Sequence, residues 1–217
     1  MRSLCAVPVP GLDECLTRLE PLHSHLCPRQ VLGARMGLYA SDLLSLELPQ
    51  RDKRLLTLVE SDGCFADGIA VATGCSIGHR TLRVEDYGKV AAVFVDTEAS
   101  YAVRVWPHPN ARARAALQAR PSTSQWQAQL DAYCVMPAGE LLRVAWVALA
   151  VPAATIVGRP GLRVSCVRCG EEIMNGREVL LTGQPYCRGC LGRRYYKSLG
   201  IAERPSQLLA RGALARE

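Results

Sequence analysis

Two groups of cysteine and histidine residues carry most of the chemistry that this sequence offers. One group lies near the C-terminus and consists of two Cys-x-x-Cys pairs, separated by 17 residues: Cys166, Cys169, Cys187 and Cys190. This spacing is typical of ribbon-type zinc sites, in which two tight turns aim four sulfurs at one tetrahedral ion. Because four protein ligands leave no open coordination position, the spacing predicts a structural zinc rather than a catalytic one.

The second group lies near the N-terminus, where His23, His25 and Cys27 alternate with other residues. In an extended segment, side chains two positions apart share a face, so all three can converge on one point. Cys27 also precedes Pro28, which suits the first position of a helix. The positive end of that helix would stabilise a thiolate. The pattern therefore indicates either half of a metal site or a nucleophilic cysteine.

The ligands that would complete such a site must come from elsewhere in the chain. Cys64 and Asp67 stand three residues apart at the start of a second predicted helix, and Cys75 follows that helix. A buried cysteine often acts simply as a small apolar side chain, and this alternative stays open for Cys64 and Cys75. A mixed set of imidazole and thiolate ligands favours zinc as the second metal, with iron or copper as alternatives.

Hydrophobic patterning predicts an α+β domain, a mixed helix and sheet structure, over residues 1–157. Helices are expected at 12–20, 28–46, 65–73, 110–120 and 124–133, and strands at 55–60, 89–96, 101–106 and 141–151. A Gly-Arg-Pro-Gly sequence then marks a boundary, and the four-cysteine module occupies 158–192, with a hairpin that turns at Gly183. Residues 193–217 form a basic tail that is predicted to be helical.

Charge and composition exclude several classes of protein. The net charge of +6 arises entirely after residue 157, and half of the chain is apolar. This positive excess is small for a nucleic-acid-binding protein. The favoured interpretation is therefore that the arginines of the C-terminal module are solvated surface residues. The sequence shows neither a signal peptide nor an apolar run that would span a bilayer. Ten cysteines without an export signal predict a reducing, cytoplasmic location.

Several motifs of the N-terminal domain resemble those of the formylmethanofuran dehydrogenase FmdE family. They are Leu22-His-Ser-His-Leu-Cys-Pro28, Val31-Leu-Gly-Ala-Arg-Met-Gly37, Glu60-Ser-Asp-Gly-Cys64 with Asp67 and Gly68, Thr73-Gly-Cys-Ser-Ile-Gly78 and Asp86-Tyr-Gly-Lys89. The resemblance covers residues 10–157. Members of this family often carry a four-cysteine zinc module behind the domain, as this chain does.

The resemblance implies an α+β homodimer with a metal site or active site in a cleft. Carried over by motif, that cleft site would contain His23, His25, Cys27, Cys64 and Asp67, with Cys75 and Lys89 close by. Cys27 and Lys89 are then the candidate catalytic residues. Ser24 and Arg29 stand where the family usually has glycine, and Arg29 would change the ligand that the cleft accepts.

Two classes of function follow from these patterns. In the first, the chain is a metal-binding protein, either an enzyme or an accessory protein of a molybdenum or tungsten enzyme. In the second, it is an interaction or regulatory protein whose zinc module binds a protein partner, or less favourably a nucleic acid. The chain has no room for a molybdopterin domain or for ferredoxin-type clusters. It is therefore not expected to oxidise formylmethanofuran by itself.

Overall fold

The computed structural model describes residues 11–23, 25–157 and 161–197. The chain divides into two compact units, Met1–Val157 and Gly158–Glu217. In the described part of the chain, every helix is too short or too polar to cross a bilayer.

Seven helices and five strands make up the described part of the first unit. The helices are α1 (Leu12–Leu19), α2 (Pro28–Leu44), α3 (Cys64–Thr73), α4 (Ala111–Gln118), α5 (Gln125–Val135), α6 (Ala138–Leu141) and α7 (Ala153–Val157), with a short 3-10 turn at Glu20–Leu22. The strands are β1 (Leu55–Val59), β2 (Leu82–Val84), β3 (Ala92–Asp96), β4 (Tyr101–Pro107) and β5 (Leu142–Val147). The predicted mixed helix and sheet fold is confirmed.

The five strands form one sheet in the order β2-β1-β3-β4-β5. Strands β1 and β2 are parallel, whereas the other neighbours are antiparallel. Strand β1 lies inside the sheet, and all five of its residues are buried. Its side chains alternate between two cores, because Leu55 and Val59 face the main helical layer while Leu56 and Leu58 join a smaller cluster that includes Ile156 of α7.

Several elements of this unit differ from the sequence prediction, among them helix α6, which was not expected, and β3, which begins at Ala92 rather than at residue 89. Strand β2 was not expected, because three residues give too short a pattern to recognise without their partner β1. The predicted strand 141–151 ends at Val147. The chain then turns at Pro152 into α7, since proline has no N–H to donate to a strand ladder.

Helices α2 and α3 pack unusually close, and glycines make this approach possible. A Cβ atom at Gly33 would lie 2.0 Å from the Phe65 carbonyl oxygen, and one at Gly68 would lie 2.2 Å from the Gln30 carbonyl oxygen. Further along, Gly37 faces Ala72. Contact passes from Phe65 and Ile69 at Gly33 to Ala72 and Thr73 at Gly37, so the two helices run in broadly the same direction. Their N-termini meet, because the Cys27 and Cys64 thiols at these ends are hydrogen-bonded.

A buried arginine holds α5 against α2. The side chain of Arg35, only 4% exposed, donates to the carbonyl oxygens of Tyr133 and Met136, each at 2.6 Å. These carbonyls belong to the C-terminal end of α5, where the last carbonyl oxygens of a helix have no backbone N–H of the same helix to accept from. The contact aligns α5 beside α2 and so brings the start of α5 towards the segment before α2.

The second unit contains two small antiparallel hairpins. Strand β6 (Arg163–Ser165) pairs with β7 (Glu172–Met174), and β8 (Val179–Leu181) pairs with β9 (Gln184–Tyr186). The expected turn at Gly183 is confirmed, since this residue has a φ of 78° between β8 and β9. The predicted tail helix falls mostly on residues 198–217, which lie outside the described residues.

Candidate functional site

The second unit contains a four-sulfur cluster at the tips of its turns. One ligand atom from each of Cys166, Cys169, Cys187 and Cys190 lies within 4.8 Å of all the others. The Sγ atoms of Cys169 and Cys187 are 3.9 Å apart. A tetrahedron with zinc–sulfur bonds of about 2.3 Å has sulfurs separated by about 3.8 Å, so the cluster fits zinc.

Backbone donors prepare this cluster to carry negative charge. The N–H of Cys187 donates to Sγ of Cys166 at 3.3 Å, and the N–H of Cys190 donates to Sγ of Cys187 at 3.3 Å. Hydrogen bonds from the backbone of Cys187 and Cys169 lower the pKa of Cys166 to about 6. Although the backbone of Glu171 acts in the opposite sense, burial and the neighbouring thiols raise the pKa of Cys169 to about 12. Binding of a dication therefore has to release protons from the cluster.

The first unit places two cysteines at the meeting N-termini of α2 and α3. Cys27 is the N-cap residue of α2, and Cys64 is the first residue of α3. Burial raises the pKa of the Cys64 thiol, and a hydrogen bond with the Cys27 thiol raises it further. This interaction shows that the two side chains are neighbours. The close approach at Gly33 and Gly68 is what brings them together.

A histidine and a carboxylate lie at the same helix end. Nε2 of His23 is 2.8 Å from Oδ2 of Asp67, which belongs to the first turn of α3. A carboxylate on one ring nitrogen fixes the tautomer, so Nδ1 is left as the unprotonated nitrogen of a neutral ring. The exposed ring of His25 instead lies beside Trp126 of α5, with 6.1 Å between ring centroids.

The remaining residues of the expected site lie apart from these four. Cys75 is buried behind the C-terminal end of α3, where it accepts from Thr57 Oγ1 at 3.4 Å and donates to the Leu55 carbonyl at 3.5 Å. Lys89 is exposed, and its backbone N–H donates to the Glu60 carbonyl just beyond β1. Among the described residues, the only group of three or more metal-ligating side chains with converging atoms is the four-cysteine cluster.

Two polar features near the first site were not anticipated from the sequence. Glu60 follows β1 directly and forms a two-pronged ion pair with Arg104, with contacts of 2.6 and 2.7 Å, while Arg104 lies over the Trp106 ring. Gln30 is fully buried in the first turn of α2. The one sequence signal for this ion pair was Arg104, a charged residue within the apolar run of β4.

The Glu60–Arg104 pair gives the first unit a predictable response to acid. The Arg104 side chain lowers the pKa of Glu60. A carboxyl group whose folded pKa lies below its unfolded value, about 4.3, stabilises the fold above that value, and the contribution disappears as pH falls through the folded pKa. We expect Glu60→Gln to cost about 1–3 kcal/mol at pH 7 in urea unfolding and to flatten the loss of stability below about pH 4.

The matched control is Glu98→Gln, because the Glu98 side chain is 71% exposed beside Arg54. Exposed ion pairs contribute at most about 1 kcal/mol, so this variant should unfold like the parent protein. Equal urea midpoints for both variants at pH 7 would contradict a stabilising role for Glu60.

Two known proteins resemble part or most of this chain. A probable S-adenosyl-L-methionine-binding protein of Archaeoglobus fulgidus is 36% identical over 104 residues, which are 46% of this chain and 28% of that protein. The chain thus matches little more than a quarter of that relative's length. The crystal structure of a tungsten formylmethanofuran dehydrogenase FmdE-like protein from Syntrophus aciditrophicus matches with a TM-score of 0.55 and 20% identity, over 86% of this chain and 95% of that one. This second likeness shows a shared fold.

Two family profiles match successive parts of the chain. The prokaryotic DksA/TraR C4-type zinc finger matches residues 160–196, which contain the four-cysteine cluster. The profile described as FmdE, molybdenum formylmethanofuran dehydrogenase operon, matches residues 22–143 and therefore more than half of the chain. The chain is a member of the FmdE family that carries a C-terminal four-cysteine zinc module.

Proposed function

We propose that the FmdE domain binds a transition metal where α2 and α3 meet, in addition to the structural zinc of the C-terminal module. The observation that carries this proposal is the pairing of Cys27 with Cys64 at two adjoining helix N-termini. Positive helix ends favour the thiolate forms that a metal requires. His23 lies at the same end, and its ring would have to move closer to the two thiols to supply the third ligand, because these atoms do not form a converging group in the described structure.

The ligand set has a clear division of roles. The thiolates of Cys27 and Cys64 and Nδ1 of His23 would bind the metal directly, while Asp67 orients the ring through Nε2. A carboxylate behind a ligating histidine is a recurrent arrangement that raises ligand basicity. Two cysteines and one histidine suit zinc, with iron as the alternative. Three protein ligands leave a position at which a bound metal polarises a carbonyl group or activates water.

The other expected residues take different roles in this proposal. Cys75 belongs to the core, and His25 lies at the rim beside Trp126. Glu60, at the carboxyl end of β1, lies four residues before Cys64 in the chain, and the Lys89 backbone N–H donates to its carbonyl oxygen. This end of β1 therefore leads towards the proposed site, and Lys89 remains our candidate for the positive charge that binds a substrate. The proposal fits either an enzyme or an accessory protein that carries a metal for a molybdenum or tungsten enzyme.

Metal analysis of the purified protein tests the proposal directly. We expect about two metal ions per chain by ligand count, and about one in the Cys27→Ser variant. The matched control is Cys75→Ser, which changes a cysteine of the same domain outside the proposed ligand set and should retain both ions. Elemental analysis counts the metal ions per chain. The absorption spectrum of the cobalt-substituted protein shows, through its thiolate charge-transfer bands, whether cysteine sulfurs bind the metal. One ion per chain in the parent protein, lost only with Cys169→Ser, would refute the second site.

A second candidate function is interaction with a protein partner through the zinc module. Leu180 and Leu181 of β8 are 65% and 52% exposed, an unusual position for two leucines on so small a unit. In this alternative the FmdE domain senses or delivers a metal while the hairpin docks. Leu180→Lys would then abolish the complex while leaving the metal content unchanged, whereas Cys27→Ser would have the opposite effect.

Three further features belong to the proposal. We place the protein in the cytoplasm, where thiols stay reduced for metal binding.

We also propose a homodimer, because β5 is an edge strand whose Trp146 is 60% exposed. The molecular mass from analytical ultracentrifugation would test this oligomeric state. The name of the Archaeoglobus relative makes S-adenosyl-L-methionine a ligand to test by calorimetry on both parent and Cys27→Ser proteins.

A further inference from the structure

We infer that Cys27 and Cys64 form a reversible disulfide when they react with a peroxide, and that this bond closes the proposed metal site. The inference rests on the proposed function and deepens it, because it names the regulation of the same pair of sulfurs. Its first test is made on metal-free protein, in which the disulfide can form whether or not the site binds a metal. The two proposals can therefore fail separately.

The two thiols are already neighbours in the described structure. Cys27 is the N-cap residue of α2 and Cys64 is the first residue of α3, and their side chains are hydrogen-bonded to each other. Disulfides form only between chain segments that lie close together, with Cα atoms usually about 4.4–6.8 Å apart. Two thiols that already share a hydrogen bond have only the gap between that contact and a covalent bond to close.

Backbone packing holds the two cysteines at this junction. A Cβ atom at Gly68, one helical turn after Cys64, would lie 2.2 Å from the Gln30 carbonyl oxygen, so these two pieces of backbone are in contact. Gln30 in turn anchors Cys27, because its Oε1 accepts the Cys27 backbone N–H at 2.8 Å. Both cysteines are thus attached to backbone that the helix packing fixes, and folding has already brought their chain segments together before any bond forms.

A small oxidant can reach this pair from solvent. Cys27 and Cys64 are partly exposed, whereas the three other cysteines that the structure describes in this unit are buried: Cys15, Cys75 and Cys134. A Cβ atom at Gly63, directly before Cys64, would meet no atom within 4 Å, so the space beside this cysteine is open. Redox-sensitive cysteines are typically accessible and stand next to a second cysteine that resolves the oxidised form, as this pair does.

The reaction is a two-electron oxidation of the two sulfurs by the peroxide. One thiolate attacks a peroxide oxygen, which forms a sulfur–oxygen bond, breaks the oxygen–oxygen bond and releases hydroxide. The second thiolate attacks the resulting sulfenic sulfur, which forms the disulfide and releases a second hydroxide. With hydrogen peroxide and the two thiol protons included, two thiols and one peroxide give one disulfide and two water molecules. Glutathione reverses the reaction by thiol–disulfide exchange.

The disulfide and the second metal exclude each other. A metal ion binds cysteine in its thiolate form, and a disulfide sulfur carries no such charge. Of the three proposed ligands, only His23 would remain after oxidation. Conversely, a metal bound to Cys27 and Cys64 engages both sulfurs and should shield them from peroxide. Oxidation therefore empties the proposed site, and reduction restores it.

Disulfide mapping by mass spectrometry, on the full chain freed of metal by chelation, tests the bond. A double digest with trypsin and an aspartate-specific protease places Cys27 in peptide 19–29 and Cys64 in peptide 62–66, each without another cysteine. We expect hydrogen peroxide to link these two peptides and dithiothreitol to separate them. At equilibrium with glutathione, the disulfide should be at least about 10-fold more favoured in the folded protein than in urea, because the unfolded chain must first close the loop between the two cysteines.

Variants and added zinc identify the partners and the link to metal binding. Cys64→Ser should leave peptide 19–29 without its expected partner. The matched control is Cys75→Ser, which changes a buried cysteine of the same domain and should still form the link between 19–29 and 62–66. Zinc added before the peroxide, at about two ions per chain by ligand count, should lower the yield of that link several-fold in the parent protein.

The two proposals have different failing results. If the link is absent from folded, metal-free protein, or forms no more readily there than in urea, the disulfide is refuted while the metal site still stands. If the link forms equally well in zinc-loaded protein, the mutual exclusion is refuted, and with it the placement of the second metal on these two sulfurs.

Discussion

Removing zinc from the C-terminal module should unfold residues 161–197 while the helix and sheet domain stays folded. The module's buried apolar cluster consists of Cys166, Ile173 and Cys190, so two of its three members are metal ligands. So small a core cannot offset the conformational entropy of the segment. Structural zinc sites supply roughly 10–16 kcal/mol of apparent binding energy. Backbone amide NMR spectra should be recorded before and after chelation. After chelation, only the amide signals of this segment should lose their chemical-shift dispersion.

The Cys166→Ser variant should reproduce the effect of chelation. Ser165→Ala is the matched control, since this exposed neighbour lies outside the ligand set. Acid should act in the same direction, because protons compete with zinc for thiolates. A module that keeps its dispersed spectrum with Cys166→Ser and without metal would contradict a metal-dependent fold.

The second large effect is expected from Gly33→Ala in α2. Alanine normally stabilises a helix relative to glycine by roughly 0.5–1 kcal/mol. At this position the added Cβ would lie 2.0 Å from a backbone carbonyl oxygen of α3, which cannot rotate away as a side chain would. We therefore expect a loss of more than about 3 kcal/mol in urea unfolding, the reverse of the usual sign.

Gly139→Ala provides the matched control for this prediction. Gly139 is also helical, in α6, but a Cβ there would meet no atom within 4 Å. The control should be neutral or slightly stabilising. A similar result for Gly33→Ala would mean that α2 and α3 do not approach as closely as described.

The same substitution would probe the proposed metal site. The approach at Gly33 and Gly68 holds the N-termini of α2 and α3 together, so separating the helices would separate Cys27 from Cys64. If Gly33→Ala remains folded at low temperature, its metal content should fall from about two ions to about one by ligand count. Helix packing and metal binding are thus linked through a contact that involves no ligand residue.

The features that the sequence determined are those whose cause is local. The spacing of the Cys-x-x-Cys pairs predicts a zinc ribbon, and the four sulfurs do converge. Pro28 and Gly74 mark the start of α2 and the end of α3, because each residue has a backbone preference that acts within one turn. The two β-rich runs of β3 and β4, separated by only four residues at 97–100, were likewise sufficient to predict their hairpin.

Only the tertiary structure decided which distant groups become neighbours. His23 meets Asp67, and Glu60 meets Arg104, in each case 44 residues away, and no short pattern encodes such a pairing. Cys75 appeared equivalent to Cys64 in sequence, yet the length of α3 between them places Cys75 in the core. Packing between elements sets these contacts, because they depend on how closely two helices approach and on which strand lies beside which.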